Sequence, residues 1–313
     1  MKKSSDRPAC MNLLRAESLE RLSGQQFIAR DVVEGFVTGR HQSPYKGFSA
    51  EFSEHRQYVA GDDIRDLDWR VYGRNDRYYV KQYIDETNLR ATILLDASGS
   101  MNYAGEQSAR IDGRPVSKFD YARYVAASLA YLMINQQDAV GLVSFDQALR
   151  SYVPARSRPT HLRVLLEQLH KTQPGSETSL AAVFHDVAER IPRRGLVMII
   201  SDLLDEIEPL LEALQHFRHR KHEVVLFHVL ADEELTFPFS RWTVFEALEN
   251  PGDDIVLDPR AIRTEYLERL RQFQRRLDAG CGQMEIDYVP MCTREPFDIC
   301  LAQYLARRQA RRK

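Results

Sequence analysis

The feature that most constrains this chain is an alternation of short apolar runs and amphipathic helical patterns between residues 90 and 232. The runs are too short for helices and rich in branched residues, which is typical of buried strands. They cover residues 91–95, 138–145, 195–200 and 223–230. Strands that alternate with helices predict an α/β fold with a Rossmann-like, doubly wound, mostly parallel sheet flanked by helices.

Three parts are predicted along the chain. Residues 1–85 form an N-terminal segment with helical and loop character, residues 86–235 form the α/β domain, and residues 236–313 form a small C-terminal extension. The extension is predicted to contribute a hairpin, a last strand and helices packed on the same sheet. The clearest helices are predicted at residues 118–135, 259–279 and 297–308. The last strand is predicted at residues 284–289.

Composition excludes several classes of function. The chain has 313 residues, with 43 Lys and Arg against 45 Asp and Glu, so its formal charge of -2 favours neither nucleic acid nor an anionic membrane as a partner. No segment approaches the roughly 20 apolar residues of a membrane-spanning helix. The first residues lack the apolar region of a secretory signal, so a cytoplasmic protein is expected, with peripheral membrane attachment left open.

Cysteines and basic residues are given structural interpretations. The four cysteines show no C-x-x-C spacing, which indicates reduced structural thiols rather than a thiolate metal site. They are Cys10, Cys281, Cys292 and Cys300.

The basic cluster at the C-terminus, which includes Arg307 and Arg308, is predicted to be a solvated last helical turn.

Oxygen-bearing side chains follow the predicted strands. Asp96, Ser98 and Ser100 come directly after the first buried run, Thr178 lies in a polar loop before a helix, and Asp202 follows a later run. Ligands bind outside the carboxyl ends of parallel strands, where these residues should converge. Two carboxylates and three hydroxyls suit octahedral Mg²⁺ or Mn²⁺, and the absence of a His or Cys in the set argues against zinc.

Each of these residues also has a purely structural interpretation. Ser98 and Ser100 are residue types that cap the following segment, and Thr178 and Asp202 are common helix N-caps. Asp96 fits the capping interpretation least well.

A second unusual stretch, residues 61–74, alternates aspartates with arginines around a tryptophan. It contains Asp62, Asp63, Arg65, Asp68, Trp69 and Arg70. Carboxylate-to-guanidinium pairs of this kind hold a loop in place, or they form a surface that recognises a partner. Both interpretations stay open, with the structural one favoured.

The Asp96-x-Ser98-x-Ser100 loop, Thr178 and Asp202 together resemble the metal-ion-dependent adhesion site of von Willebrand factor A domains. Residues 51–58 and 61–69 look like the signature of the bacterial domain-of-unknown-function family 58, which joins such a segment to a von Willebrand A-like domain. One departure is Glu177, where small residues are common.

This resemblance implies a single divalent cation and a partner carboxylate donated to its open position. Members of the family often accompany MoxR-type AAA+ ATPases, which implies an adaptor or co-chaperone role toward a client protein. The expected function is therefore a non-catalytic, metal-dependent interaction module.

The alternative is a metal-dependent hydrolase or phosphatase-like enzyme that uses the same cation. A haloacid-dehalogenase-type phosphatase would need a second aspartate at the position of Ser98, and a serine hydrolase elbow would need glycine at the position of Asp96. A phosphate-cradling Gly-x-x-x-x-Gly-Lys loop is absent from the sequence. The scattered histidines are assigned no catalytic role.

Overall fold

The computed structural model of the chain describes residues 13–14, 50–58, 68–75, 78–85, 89–111, 113–175, 180–191, 194–249, 252 and 254–310. The chain forms two compact units. The smaller unit is Val32–Asn88, and the larger unit combines Met1–Asp31 with Leu89–Lys313.

The described part of the smaller unit is an antiparallel strand pair with a short helix. Strands β1 (Ala50–Gln57) and β2 (Tyr79–Asp85) pair along their length, with a bulge between Phe52 and Glu54. Helix α1 (Trp69–Asn75) lies between them in sequence. Its start is fixed to β2 because the backbone N–H of Asp68 donates to the carbonyl of Tyr79 at 2.8 Å.

A six-stranded sheet organises the larger unit. In chain order the strands of this unit are β3 (Arg90–Asp96), β4 (Arg110–Ile111), β5 (Arg114–Pro115), β6 (Ala139–Phe145), β7 (Leu149–Arg156), β8 (Leu196–Ser201), β9 (Glu223–Leu230), β10 (Thr243–Phe245), β11 (Ile255–Leu257) and β12 (Asp287–Cys292). The main sheet has the order β12-β9-β8-β3-β6-β7. Every neighbouring pair is parallel except β6 and β7, so the predicted mostly parallel sheet is confirmed.

Helices cover both faces of this sheet. They are α2 (Lys118–Asn135), α3 (Pro159–Lys171), α4 (Leu180–Arg190), α5 (Ile207–His219), α6 (Asp232–Thr236), α7 (Pro259–Gln283) and α8 (Phe297–Ala310). One face packs under α4, α5 and part of α7, around Phe184 and Phe217. The other face packs under α2 and α8, where the ring of Phe227 lies 5.5 Å from that of Tyr304. No helix within the described ranges is long and apolar enough to span a membrane.

The last strand lies later in the sequence than predicted. Strand β12 covers Asp287–Cys292 rather than residues 284–289, because α7 continues to Gln283 and the chain then turns through Glu285 at a φ of 55°. The glycine at position 280 does not end α7. A Cβ there would lie 2.6 Å from Cδ2 of Leu211, so the glycine permits close packing of α7 on α5.

The prediction of a solvated C-terminal turn is wrong for Arg308. Its guanidinium pairs with the carboxylates of Glu223 and Asp287, and its side chain is only 7% exposed. The phenol of Tyr304 completes this cluster, donating to Asp287 at 3.1 Å and accepting from Arg308 at 2.8 Å. The cluster forms because α8 returns across β9 and β12, a tertiary arrangement that local charge pattern does not encode.

A buried carboxyl group joins the starts of two central strands and makes stability depend on pH. Oδ1 of Asp138, the residue before β6, accepts a hydrogen bond from the backbone N–H of Leu89 at 3.1 Å. Burial raises the pKa of Asp138 from 3.8 to about 7, although this hydrogen bond opposes the rise. Because the pKa of Asp138 is higher in the folded protein than in the unfolded chain, the proton on Asp138 stabilises the folded protein. This stability is fully present below pH ~4 and is lost as the pH rises through ~7.

We expect Asp138→Asn, which keeps the acceptor and removes the charge, to match the wild type near pH 4. At pH 8 its free energy of unfolding should be higher than that of the wild type, by an amount on the order of 2 kcal/mol. Urea unfolding at the two pH values measures this difference. Asp138→Ala is the control: it removes the charge and the acceptor together, so its pH dependence should match that of Asp138→Asn while its free energy of unfolding is lower than that of Asp138→Asn at both pH values. A parallel pH dependence in Asp138→Asn and the wild type would contradict the prediction.

Candidate metal centre at the carboxyl edge of the sheet

Three of the predicted ligands lie together where β3 ends. Asp96 is fully buried, and its Oδ1 accepts a hydrogen bond from the backbone N–H of Ser98 at 2.9 Å. The Oγ atoms of Ser98 and Ser100 lie 3.0 Å apart, and Ser100 begins a short 3₁₀ helix, Ser100–Asn102. We call residues 96–100 the motif loop. Its Asp-x-Ser-x-Ser spacing directs all three oxygen-bearing side chains into one small volume.

Glycine is required in the middle of this loop because another segment lies against it. A Cβ at Gly99 would be 2.4 Å from the carbonyl oxygen of Leu248 and 3.2 Å from Cα of Glu249. A contact of 2.4 Å is too short for a carbon atom and a carbonyl oxygen that are not bonded, so a larger residue at position 99 would displace one of the two segments. The chain after β10 therefore packs directly on the motif loop.

Asp202 reaches the same place from the neighbouring strand. It is 1% exposed and follows β8, which pairs with β3. Ser201, the last residue of β8, links the two strand ends because its Oγ donates to Oδ2 of Asp96 at 2.5 Å and accepts from the backbone N–H of Leu203 at 2.9 Å. The parallel register thus brings together two residues that are 106 positions apart in the sequence.

Lys118 is a residue of this site that sequence reasoning missed. It is 1% exposed, and its Nζ donates to Oδ2 of Asp202 at 2.8 Å and to Oε1 of Glu234 at 2.7 Å. Burial alone would lower the pKa of Lys118, but the charges of Asp202 and Glu234 outweigh burial and raise it above its ordinary value. The ammonium is therefore charged at neutral pH. As the first residue of a helix, Lys118 gives no sequence signal of this role.

The electrostatics of the site favour an additional cation. Burial raises the pKa of Asp96 to about 7, and the nearby charge of Asp202 adds to the rise, against the hydrogen bonds from Ser201 and Ser98. Asp202 and Glu234 share the one ammonium of Lys118, and Asp96 adds a further buried carboxyl group beside Asp202, so the three carboxyl groups exceed the ammonium by two formal negative charges when all are ionised. Repulsion between buried carboxylates is relieved when a positive ion binds.

The hydroxyl geometry also fits a divalent cation. Adjacent ligands of octahedral Mg²⁺ at about 2.1 Å from the metal are separated by about 3.0 Å. The Oγ atoms of Ser98 and Ser100, which are hydrogen-bonded to each other, have this separation. The residues present therefore fit a small hard cation held by the motif loop.

His228 fixes the backbone of Asp202 from the next strand. Burial lowers the pKa of His228 to about 4, so its ring is neutral at physiological pH. The carbonyl of Asp202 can only accept, so Nε2 at 2.9 Å carries the proton, and Nδ1 accepts from the phenol of Tyr288 at 2.8 Å. His228 thus has a positioning role, which the scattered histidine spacing did not indicate.

The fifth predicted ligand, Thr178, lies outside the described residues, as does Glu177. The described residues on either side contact the site. The backbone N–H of Gly175 donates to the carbonyl of Ala97 at 2.6 Å, and that of Leu180 donates to Oδ2 of Asp205 at 3.0 Å. Both ends of this loop are therefore fixed beside the carboxyl ends of β3 and β8.

The second predicted set is described only in part. Asp62, Asp63, Arg65 and the side chain of Arg70 lie outside the described residues. Asp68 is buried and its Oδ1 accepts from the backbone N–H of Val71 at 3.3 Å, as a helix N-cap does. Trp69 is 59% exposed, with its ring edge-on to that of Tyr72. Within the described part, Asp68 thus has a structural role and Trp69 presents an exposed surface.

Fold and site together define the larger unit as a von Willebrand A-like α/β domain with an Asp-x-Ser-x-Ser loop at the carboxyl edge of its sheet. Residues 54–276 match the family described as Protein of unknown function DUF58, and this chain belongs to that family. The family membership and the fold predicted from the sequence are confirmed.

The chain is also similar to other proteins in sequence or in structure. Uncharacterized proteins of Mycobacterium bovis and Mycobacterium tuberculosis are each 28% identical over 265 residues, covering 82% of this chain and 80% of the relative. The crystal structure of the conserved hypothetical protein BatB from Bacteroides thetaiotaomicron is 16% identical, covers 70% of this chain and 98% of its own, and has a TM-score of 0.45. The VWA domain of SpRpn10 is 10% identical, with coverages of 69% and 95% and a TM-score of 0.40.

Proposed function

We propose that this protein is a non-catalytic interaction module that captures a partner carboxylate through a divalent cation, Mg²⁺ or Mn²⁺. Asp96, Ser98 and Ser100 would hold the cation, with Thr178 and Asp202 completing the set. The bound cation would supply positive charge to an acidic side chain of the partner. The observation that carries this proposal is the convergence of Asp96, Ser98 and Ser100 in one buried loop, with the Oγ atoms of the serines 3.0 Å apart.

As part of the same proposal, the partner is a MoxR-type AAA+ ATPase, and the module presents a client protein to it during maturation or complex assembly. This role is the one that the resemblance noted in the sequence implies. An adaptor of an ATP-driven machine must meet it where ATP is available, so the proposal places the protein in the cytoplasm.

The hydrolase alternative requires a general base beside the cation. His228 contacts the site, but it uses both ring nitrogens in hydrogen bonds to Asp202 and Tyr288. No observation on the described residues favours the enzyme.

Asp96→Asn tests the cation directly, because it removes one ligand charge and keeps the acceptor for Ser98. At 100 times its dissociation constant, Mg²⁺ should raise the free energy of unfolding of the wild type by about 2.7 kcal/mol, since only the folded state binds it. Chemical unfolding with Mg²⁺ and with EDTA measures this gain. We expect no gain in Asp96→Asn, and an equal gain in both proteins would refute the site.

The same variant tests capture of the partner. A MoxR-type ATPase from the same cell should be retained by the immobilised wild type in Mg²⁺, and lost with EDTA or with Asp96→Asn. Retention that is unaffected by EDTA and by the substitution would refute the metal-dependent mechanism while leaving the interaction itself intact.

A further inference from the structure

Two histidines meet where helices α4 and α5 contact each other in the larger unit. Nδ1 of His185, on α4, lies 2.8 Å from Nδ1 of His216, on α5, and the ring centroids are 5.0 Å apart. His185 is exposed and His216 is half-buried. We call these two residues the histidine pair. Its rings are hydrogen-bonded to each other at a place that ions in solution can reach.

The core fixes the backbone positions of the histidine pair. His185 follows Phe184 in the sequence, and His216 precedes Phe217. Both phenylalanines are 0% exposed, and their ring centroids lie 6.0 Å apart with the rings edge to face. Because these rings are packed in the core, α4 and α5 cannot separate without opening a cavity. The two imidazoles are therefore held close together although their side chains reach the surface.

A carboxylate orients one of the two rings. Oε1 of Glu189, which follows His185 by one turn of α4, lies 3.3 Å from Nε2 of His216. The same oxygen lies 2.9 Å from Nη1 of Arg220, which holds the carboxylate in place. A carboxylate can only accept, so the neutral ring of His216 carries its proton on Nε2 and directs the lone pair of Nδ1 toward His185. Histidines that bind metal ions typically donate their other ring nitrogen to a carboxylate in this way.

We propose that the histidine pair binds a transition-metal ion such as Zn²⁺, which joins α4 to α5. Neutral imidazole nitrogens are common ligands of such ions. When the ion binds to both Nδ1 atoms, the proton of His185 moves from Nδ1 to Nε2 through water, so both rings stay neutral. No third His, Cys, Asp or Glu completes a three-ligand set within the described ranges, so water fills the other positions.

The rings need only a small movement to accept the ion. Tetrahedral ligands about 2.05 Å from Zn²⁺ are about 3.3 Å apart, about 0.5 Å more than the present separation of the two Nδ1 atoms. Side chains at the surface can make this adjustment by rotating about χ1 and χ2. Two imidazoles on packed helices should also bind the ion more tightly than one, because the second bond forms within the molecule.

This inference goes beyond the proposed function, because it uses nitrogen ligands on two helices. The motif loop instead offers carboxylate and hydroxyl oxygens, which suit Mg²⁺. Zn²⁺ at the histidine pair would stabilise the contact between α4 and α5 without occupying the motif loop. The two sites can therefore be tested separately.

The test is a Zn²⁺ titration of the full chain, followed by NMR of isotope-labelled imidazole nitrogens. Excess Mg²⁺ competes for oxygen ligands, and a phosphine reductant keeps the thiols reduced. We expect the signals of His185 and His216 to change together and to saturate, with Nδ1 bound and Nε2 protonated in both rings. His170, which is exposed in the last turn of α3, should not respond at the same Zn²⁺ concentrations.

Variants separate a two-histidine site from binding to single surface histidines. His185→Ala and His216→Ala should each weaken Zn²⁺ binding at the remaining ring at least about tenfold, since one imidazole is left. Glu189→Ala should weaken it about tenfold through loss of the orienting carboxylate. His170→Ala is the matched control and should bind as the wild type does. Absence of saturation, a change confined to one ring, or equal affinity in all three histidine variants would overturn the proposal.

Discussion

Replacing Lys118 with methionine is expected to lower the free energy of unfolding by about 3–5 kcal/mol in EDTA, because removing one partner of a buried ion pair leaves uncompensated charge. The carboxylates of Asp202 and Glu234, now 2.8 and 2.7 Å from Nζ, would lose their counter-ion. Urea unfolding at neutral pH measures the loss. Methionine keeps most of the apolar stem, so the loss reports charge rather than packing.

The matched control is Lys171→Met, at the exposed last residue of α3, which should change stability by less than about 0.5 kcal/mol. Combining Lys118→Met with Asp202→Asn and Glu234→Gln should restore much of the lost stability, because the unpaired charges are also removed. A loss below about 1 kcal/mol in Lys118→Met would contradict the buried pair.

The Lys118→Met variant also tests whether Lys118 and Mg²⁺ compete for the same carboxylate. The ammonium of Lys118 competes with a divalent cation for the negative charge of Asp202, so its removal should tighten Mg²⁺ binding. We expect Mg²⁺ to stabilise Lys118→Met more than it stabilises the wild type. An equal or smaller gain would mean that Lys118 and the cation act at separate places.

The sheet could be predicted from sequence because its signals are local. Strand β9 and helix α2 have the predicted bounds, Glu223–Leu230 and Lys118–Asn135. Each element is recognised from its own residues, the strand from a run of branched apolar side chains and the helix from apolar residues at helical spacing. The start of β12 was misplaced because residues 284–289 alternate apolar and acidic side chains, as a strand does. Only the packing of Leu211 reveals that α7 continues.

The candidate site was predictable where strand topology determines it. Asp96, Ser98, Ser100 and Asp202 directly follow strands, and neighbouring parallel strands end at the same edge. The partners of these residues were not predictable. Lys118 and Glu234 look like solvated charges at helix starts, and their ion pair joins positions 116 residues apart. Long-range pairing between charged residues leaves no periodic pattern in the sequence.

Long-range pairing of charged residues was also missed near the C-terminus. There the sequence suggested solvated arginines, whereas in the structure Arg308 belongs to a buried cluster of charged residues. The guanidinium of Arg308 pairs with Glu223 at the start of β9 and with Asp287 at the start of β12. It therefore joins α8 to two strands at the edge of the main sheet. This arrangement predicts that Arg308 contributes strongly to stability although it lies only five residues before Lys313.

Arg308→Met is expected to lower the free energy of unfolding by about 3–5 kcal/mol, because two carboxylates that are 7% and 13% exposed would lose their counter-ion. Arg307→Met is a matched control one position away, since Arg307 is exposed and its Nε donates to the carbonyl of Gln303, in the preceding turn of the same helix. Chemical unfolding of both variants should separate them by several kcal/mol at neutral pH. Equal effects would mean that the tail is solvated, as its sequence suggests. Adding Glu223→Gln and Asp287→Asn to Arg308→Met should recover stability, because the cost arises from unpaired buried charge rather than from lost packing of α8.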